Sequence, residues 1–170
     1  MARKATNKLL QKAKELKSDE FYTQFSDIEN ELKHYKDQFK DKIIYCNCDG
    51  PRTSNFFKYF SSNFKELGLK KIIASCHIKQ ERNLFNTKKF ESGFFYEYSG
   101  TQGEKVKPSS NDIIHFKGDG DFRSAESIEL LKQSDIVVTN PPFSLFREYV
   151  DQLVKYDKKF LIIGNINAIT

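Results

Sequence analysis

An open α/β fold with a doubly wound, mostly parallel sheet is the architecture this sequence predicts, and three observations predict it. Apolar runs alternate with helical patterns along most of the chain, the rhythm of strands joined by crossover helices. Those runs are followed by polar groups, Asp49, Cys76-His77, Asp119 with Asp121, Asn140 and Asn165, which such a sheet gathers at one mouth, where α/β folds place their ligands. At 170 residues, with 38% hydrophobic content and 16 Phe, the chain can bury the core of a single domain.

The elements follow in order. Residues 3–17 read as a basic helix with a narrow apolar stripe of Leu9, Leu10, Ala13 and Leu16; it serves either as a phosphate-contacting arm or as a solvated helix packed by that stripe. A second helix carries the pair Ser26 and Glu29, a capping-box pattern, with Ile28, Leu32, Tyr35 and Phe39 on one face. These helices form an N-terminal segment over residues 1–40, and the sheet domain occupies 41–170. Its first strand is Lys42–Cys48, then the turn Asp49-Gly50-Pro51. Phe56, Phe57, Tyr59, Phe60, Phe64 and Leu67 mark a core-facing helix that Gly68 stops. Lys71–Ser75 are the second strand.

Residues 78–110 interrupt the alternation. Phe94–Tyr98, a turn over 100–103 and a return strand at 105–107 predict an inserted hairpin beyond the sheet. Asp112–Phe116 are the third strand, followed by the turn Gly118–Asp121. Ser124 caps a helix through Lys132, and Asp135–Thr139 are the fourth strand. A helix over 145–156 points Phe146, Tyr149, Val150 and Leu153 inward, and Phe160–Ile163 are the fifth strand.

Composition narrows the function. A net charge of +5 suits a polyanionic partner without demanding one. Cys46, Cys48 and Cys76 are an odd number at spacings unlike a structural zinc site, so thiols in a reducing cytoplasm are expected. The N-terminus lacks the apolar core of a secretory signal, and no apolar run reaches the roughly 18 residues of a membrane span.

Asn140-Pro141-Pro142-Phe143, directly after Ile136-Val137-Val138-Thr139, carries the most chemistry. The Asn140 amide and the Pro141 carbonyl can accept hydrogen bonds from a planar amino group. The two prolines fix the backbone and remove two amide donors. The Phe143 ring can stack on a flat substrate. Methyl transfer to the amine of adenine, of cytosine or of a carboxamide needs such a device.

Three stretches resemble the EcoRI-type adenine-specific DNA methyltransferases: Ile44 through Phe57, which contains Asp49-Gly50-Pro51-Arg52-Thr53-Ser54-Asn55-Phe56-Phe57, then Asp135 through Tyr149, and Phe160 through Asn165. The likeness covers about residues 40–170. It implies a Rossmann-like class I methyltransferase fold, S-adenosyl-L-methionine as methyl donor, DNA as partner, and transfer to the N6 amine of adenine in a restriction–modification or phage setting. It gives Asn140, Pro141, Pro142 and Phe143 the catalytic and target-binding roles, with the base swung out of the duplex onto Phe143. It places the cofactor against Asp49, Gly50, Pro51, Ser54 and Asn55, and makes Asp119 or Asp121 an acceptor for the cofactor's adenine amine with Phe122 packing on the ring.

The sequence departs from the wider methyltransferase pattern in two places. No Phe-x-Gly-x-Gly loop follows the first strand, and Ser75-Cys76-His77 stands where a ribose-binding carboxylate is usual, with Glu81 farther on. The resemblance also implies a seven-stranded sheet, so the domain is expected to be incomplete at its C-terminal end, with a C-terminal recognition region or a partner chain completing the fold. Two other readings stay open: a methyltransferase acting on RNA adenine or protein glutamine, and a shortened relative that binds nucleic acid without turnover.

Overall fold

The computed structural model describes residues 23–48, 50–52, 54–77, 92–100 and 108–164. The basic helix, the return strand at 105–107, Asp49, Glu81 and Asn165 lie outside the described residues.

Six strands form one sheet: β1 (Ile43–Cys46), β2 (Lys71–Cys76), β3 (Phe94–Tyr98), β4 (Ile114–His115), β5 (Ile136–Thr139) and β6 (Lys159–Ile162), in the order β4-β3-β2-β1-β5-β6. β1 runs parallel to β2 and to β5, and β5 parallel to β6. β3 is antiparallel to both of its neighbours, so β4 returns to the direction of β1. The doubly wound, mostly parallel α/β architecture is therefore present, with one reversed strand.

That strand corrects the expectation of a hairpin beyond the sheet. Phe94–Tyr98 pair with β2 over five positions, from Ile72 opposite Tyr98 to Cys76 opposite Phe94. Tyr96 and Tyr98 turn to one face and are 1% and 7% exposed, while Phe95 packs on the other. A strand with apolar groups on both faces belongs inside a covered sheet. The sequence showed a strand here but not which edge would accept it. The third predicted strand shrinks to Ile114–His115, preceded by a 3₁₀ turn at Ser110–Asp112.

Among the described residues, four α-helices cover the sheet: α1 (Phe25–Leu32), α2 (Asn55–Ser62), α3 (Ala125–Gln133) and α4 (Phe146–Lys155). Side chains alternate along each strand. Ile44, Cys46, Ile72, Ala74, Ile136 and Val138 meet α1 and α2, and Tyr45, Ile73 and Val137 meet α3 and α4. The predicted stripe Phe56, Phe57, Tyr59 and Phe60 is 0–4% exposed.

Local signals were followed unevenly. Ser124 caps α3, accepting from the Ser127 amide at 3.2 Å. The Ser26–Glu29 capping box does not form: Gln24 is the cap residue, without a side-chain hydrogen bond, and Ser26 lies inside the helix. The chain tightens to a 3₁₀ helix at Lys33–Gln38, which breaks the 3.6-residue period. Tyr35 thus leaves the apolar face and is 37% exposed, while Ile28, Leu32 and Phe39 stay buried. α2 ends at Ser62, before Gly68, and turns carry the still-buried Phe64 and Leu67 to Gly68 at φ +60°.

Candidate active site

The carboxyl ends of β1, β2, β4 and β5 open on one cleft. Asn47 and Cys48 line it from β1, Ser75 and His77 from β2, Gly120, Asp121 and Phe122 from the loop after β4, and Pro142, Ser144 and Leu145 from the segment after β5. The grouping expected from the strand ends is real for His77, Asp121 and the Asn140 turn.

Each wall is held by specific bonds. Cys48 sits at φ +69°, in the left-handed region that few side chains adopt, and this turns the chain out of β1 into the loop. Cys46, Cys48 and Cys76 are thiols and not disulfide partners. Asn47 is 4% exposed. Its carbonyl accepts the Thr139 hydroxyl, and its Oδ1 accepts the Tyr149 hydroxyl. Burial, above all, raises the Tyr149 phenol well above its usual pKa, so it is a neutral donor. Beneath the β2 wall the Tyr45 and Ser75 hydroxyls are 2.9 Å apart.

His77 Nδ1 lies 3.0 Å from the Asp119 carbonyl. A carbonyl only accepts, so Nδ1 carries the proton. Asp119 Oδ1 accepts the Asp121 amide at 3.0 Å, which folds the loop back on itself. Gly120 sits at φ +78°, where a Cβ would stand 2.8 Å from the Cys76 carbonyl oxygen; only glycine lets these two backbones approach.

Asp121 is chelated by Arg123, through Nε at 2.8 Å and Nη2 at 2.7 Å. The guanidinium holds the Asp121 carboxyl below the ordinary carboxylate pKa, so it is ionised at neutral pH. Arg123 also reaches Glu148 on α4 at 3.3 Å. Phe122 is 7% exposed and meets the Tyr149 ring edge-on, with centroids 5.1 Å apart. An ionised acceptor beside an aromatic ring, both on the cleft wall, fits an amine-bearing heterocycle.

After β5, Asn140 is 4% exposed, its Oδ1 is fully enclosed, and Pro141 is buried. Pro142 begins a 3₁₀ turn, Phe143–Leu145, that leads into α4. Of the four predicted catalytic residues, Pro142 lines the cleft; Asn140 and Pro141 lie behind the wall and Phe143 is half-buried beside it. Of the predicted cofactor residues, Asp121 and Phe122 line the cleft, and Asp119 supports it from the backbone. Gly50, Pro51, Ser54 and Asn55 are not among its lining. Ser54 instead caps α2, accepting the Phe57 amide at 3.1 Å, and Asn55 donates to the Thr23 carbonyl at 2.9 Å. Asp49 lies outside the described residues.

The sequence profile described as adenine-specific methyltransferase EcoRI matches residues 9–170. This chain belongs to that family. Its members include the Type II methyltransferase M.EcoRI of Escherichia coli, 64% identical over 170 residues, which is 100% of this chain and 52% of that protein. The Type II methyltransferases M.MgeORF184P of Mycoplasma genitalium and M.MpnI of Mycoplasma pneumoniae are 44% and 42% identical over 157 and 158 residues, covering 92% and 93% of this chain and 44% of each of those proteins. The chain thus spans about half the length of the curated relatives it matches. No solved structure matches it. Among the described residues, no helix is long and apolar enough to cross a membrane.

Sequence reasoning passed over Asn47 as a strand residue and took Tyr149 for plain core. Asn47 had a signal, a polar side chain at the end of an apolar strand beside Asp49. Tyr149 had none, because its partner lies 102 residues away.

Proposed function

We propose that this chain carries the cofactor and target-amine centre of an S-adenosylmethionine-dependent DNA adenine N6-methyltransferase of the restriction–modification type, working in the cytoplasm. One observation carries the reading: the Asn140–Phe143 turn leaves β5 at the rim of a cleft whose other walls come from β1, β2 and the loop after β4. The names of the relatives add the substrate class. The remainder of those longer proteins, or a partner chain, is where we place the reading of the DNA sequence.

When bound, S-adenosylmethionine supplies an electrophilic methyl on a sulfonium. The protein's work is to place and orient. Asp121 accepts from the cofactor's adenine amine, and Phe122 packs on that ring. Asp49, next in sequence to the cleft-lining Cys48, would hold the methionine end of the cofactor. Asn140 Oδ1 and the Pro141 carbonyl accept from the target amine and favour a tetrahedral nitrogen, so that its lone pair becomes available. Because Oδ1 is enclosed, the 140–145 turn must shift to admit a base, which then stacks on Phe143. The amine loses its proton after transfer, so no general base is required. Most of the rate gain then comes from alignment and fixed dipoles.

Tritiated methyl donor incubated with the full chain and DNA, RNA or a protein extract tests this. Label on adenine in DNA is the expected result. Label on RNA or on protein glutamine reassigns the substrate. Calorimetric cofactor binding without transfer to any of the three removes the enzymatic reading of this chain.

A further inference from the structure

We infer that Tyr149 and Thr139, acting through Asn47, are positioning residues that hold the methyl-donor wall of the cleft in register with the target-amine turn. This rests on the function proposed above and goes one step beyond it, because neither residue faces a substrate.

The argument is one of connectivity. A methyl transfer needs two binding devices aligned to a fraction of an ångström. In this fold they leave different strands, β1 for the donor side and β5 for the target side. β1 and β5 pair over Ile44–Tyr45 opposite Ile136–Val137, and those pairs stop short of the loops that carry the chemistry. Beyond them the connection passes through Asn47. Thr139, the residue before Asn140, donates its hydroxyl to the Asn47 carbonyl. Tyr149, on the helix that follows the target turn, donates its hydroxyl to the Asn47 side chain. Asn47 is therefore fastened from both flanks of the 140–145 turn while it lines the cleft.

Tyr149 does a second thing at the same time. Its ring packs edge-on against Phe122, and Gln152, one turn along α4, donates to the Phe122 carbonyl at 2.9 Å. A single buried side chain on the target-side helix thus touches the cofactor-side wall at both Asn47 and Phe122. Tyr149 is 1% exposed and Thr139 is 0% exposed. Buried hydrogen bonds of this kind fix position more sharply than apolar contact, since their energy falls steeply with angle.

Tyr149→Phe and Thr139→Val each remove one hydroxyl with little change of volume, and Thr139→Ser keeps the donor. Ser61→Ala serves as control: Ser61 is 4% exposed and bonds the Phe57 carbonyl within α2. The expected result is a fall in kcat of about tenfold to a hundredfold for Tyr149→Phe and Thr139→Val, the size of a small misalignment. Cofactor Kd by calorimetry should stay within about threefold, so the loss sits in kcat rather than in uniform binding. Thr139→Ser should restore most of the rate, and Ser61→Ala should cost melting temperature alone. Amide hydrogen exchange supplies a readout that needs no turnover: Tyr149→Phe should quicken exchange at Thr139, Asn140 and Asn47 and leave β2 protected. If Tyr149→Phe and Ser61→Ala behave alike, losing stability with kcat intact, the inference is overturned. If the wild-type chain transfers no methyl group, the function reading falls. Exchange then decides this inference on its own: quickened exchange at 139–140 sustains it and unchanged exchange ends it.

Discussion

The two faces of the sheet are built from different physics. On the face covered by α1 and α2, Ile44, Ile72, Ala74, Ile136 and Val138 meet a block of aromatic rings. Phe39 and Phe60 pack edge-on at 5.1 Å, Phe57 and Tyr96 at 5.7 Å, and Phe64 and Tyr98 at 5.2 Å. On the face covered by α3 and α4, the apolar groups Ile73, Val137, Leu130, Leu131 and Leu153 are joined by buried hydroxyls and an amide. Tyr45 pairs with Ser75, and Tyr149 and Thr139 hold Asn47. Apolar packing is strong and non-directional, so the first face anchors the sheet without specifying fine geometry. Directional bonds cost stability if any partner is missing, and the second face spends them in a line that ends at the cleft. Substitutions on the first face should therefore be read in unfolding curves, and those on the second in binding and turnover.

Phe60→Ala is the largest test of that division. Phe60 is fully buried, and removing its ring should lower unfolding stability by about 3–5 kcal/mol. Transfer by the fraction that stays folded should be unchanged, and a fall in kcat per folded molecule would break the comparison. Asn140→Ala is its counterpart in the turn that follows Thr139. Transfer should drop by about a hundredfold to a thousandfold, the usual cost of one preorganised polar contact in a transition state, while cofactor Kd holds. Transfer near the wild-type rate would remove Asn140 from the role proposed for it.

Two left-handed glycines sharpen the contrast at intermediate size. Gly100, at φ +76°, has its would-be Cβ 2.5 Å from the Phe64 ring on the aromatic face. Gly120, at φ +78°, faces the Cys76 carbonyl at the cleft. Alanine at either should cost about 1–3 kcal/mol of stability from backbone strain, seen in urea unfolding. Gly120→Ala alone should also weaken cofactor binding, because the strain is relieved by moving Asp121 and Phe122. Equal losses of affinity from both variants would show that the faces are not functionally distinct.

Much of this division was legible in the chain. The apolar runs Ile43–Cys46 and Ile136–Thr139 marked two buried strands, and the Phe56–Phe60 stripe announced a helix that covers the sheet. The Asn-Pro-Pro-Phe turn and the Asp121-Phe122 pair were placed after strand ends by sequence, and in the structure Pro142, Asp121 and Phe122 line the cleft. What escaped was pairing at a distance. Phe94–Tyr98 read as a strand whether they form a separate hairpin or slot beside β2, because a strand's composition does not report its neighbour. Tyr149 carries the spacing of a core residue, and nothing local says that its hydroxyl has a partner at the far end of β1. Ser54 and Asn55 are legible in two ways. A Ser and an Asn after a Gly-Pro turn suit a ligand loop, but the same residues cap helices and bind backbone, and here they do the latter.

The smallest expected effect lies where the polar face meets solvent. Asp121 and Arg123 form a bidentate pair with side chains 21% and 47% exposed, so screening keeps its worth under about 1 kcal/mol. Its sign is nevertheless fixed by linkage. The Arg123 hydrogen bonds lower the Asp121 pKa beneath its ordinary 3.8, so the pair's contribution is fully present above that value and is lost as pH falls through the lowered folded-state pKa. Asp121→Asn should therefore be slightly less stable than wild type at neutral pH, and the gap should close in acid and shrink in high salt. A gap that widens as pH falls would mean that Asp121 is not held ionised by Arg123. Cofactor affinity should fall in the same variant even where stability scarcely changes, because asparagine offers the adenine amine a neutral acceptor in place of a charged one. A variant that loses the small stability increment yet binds cofactor as well as wild type would leave the Asp121–Arg123 pair a surface feature of the loop before α3, with no part in binding.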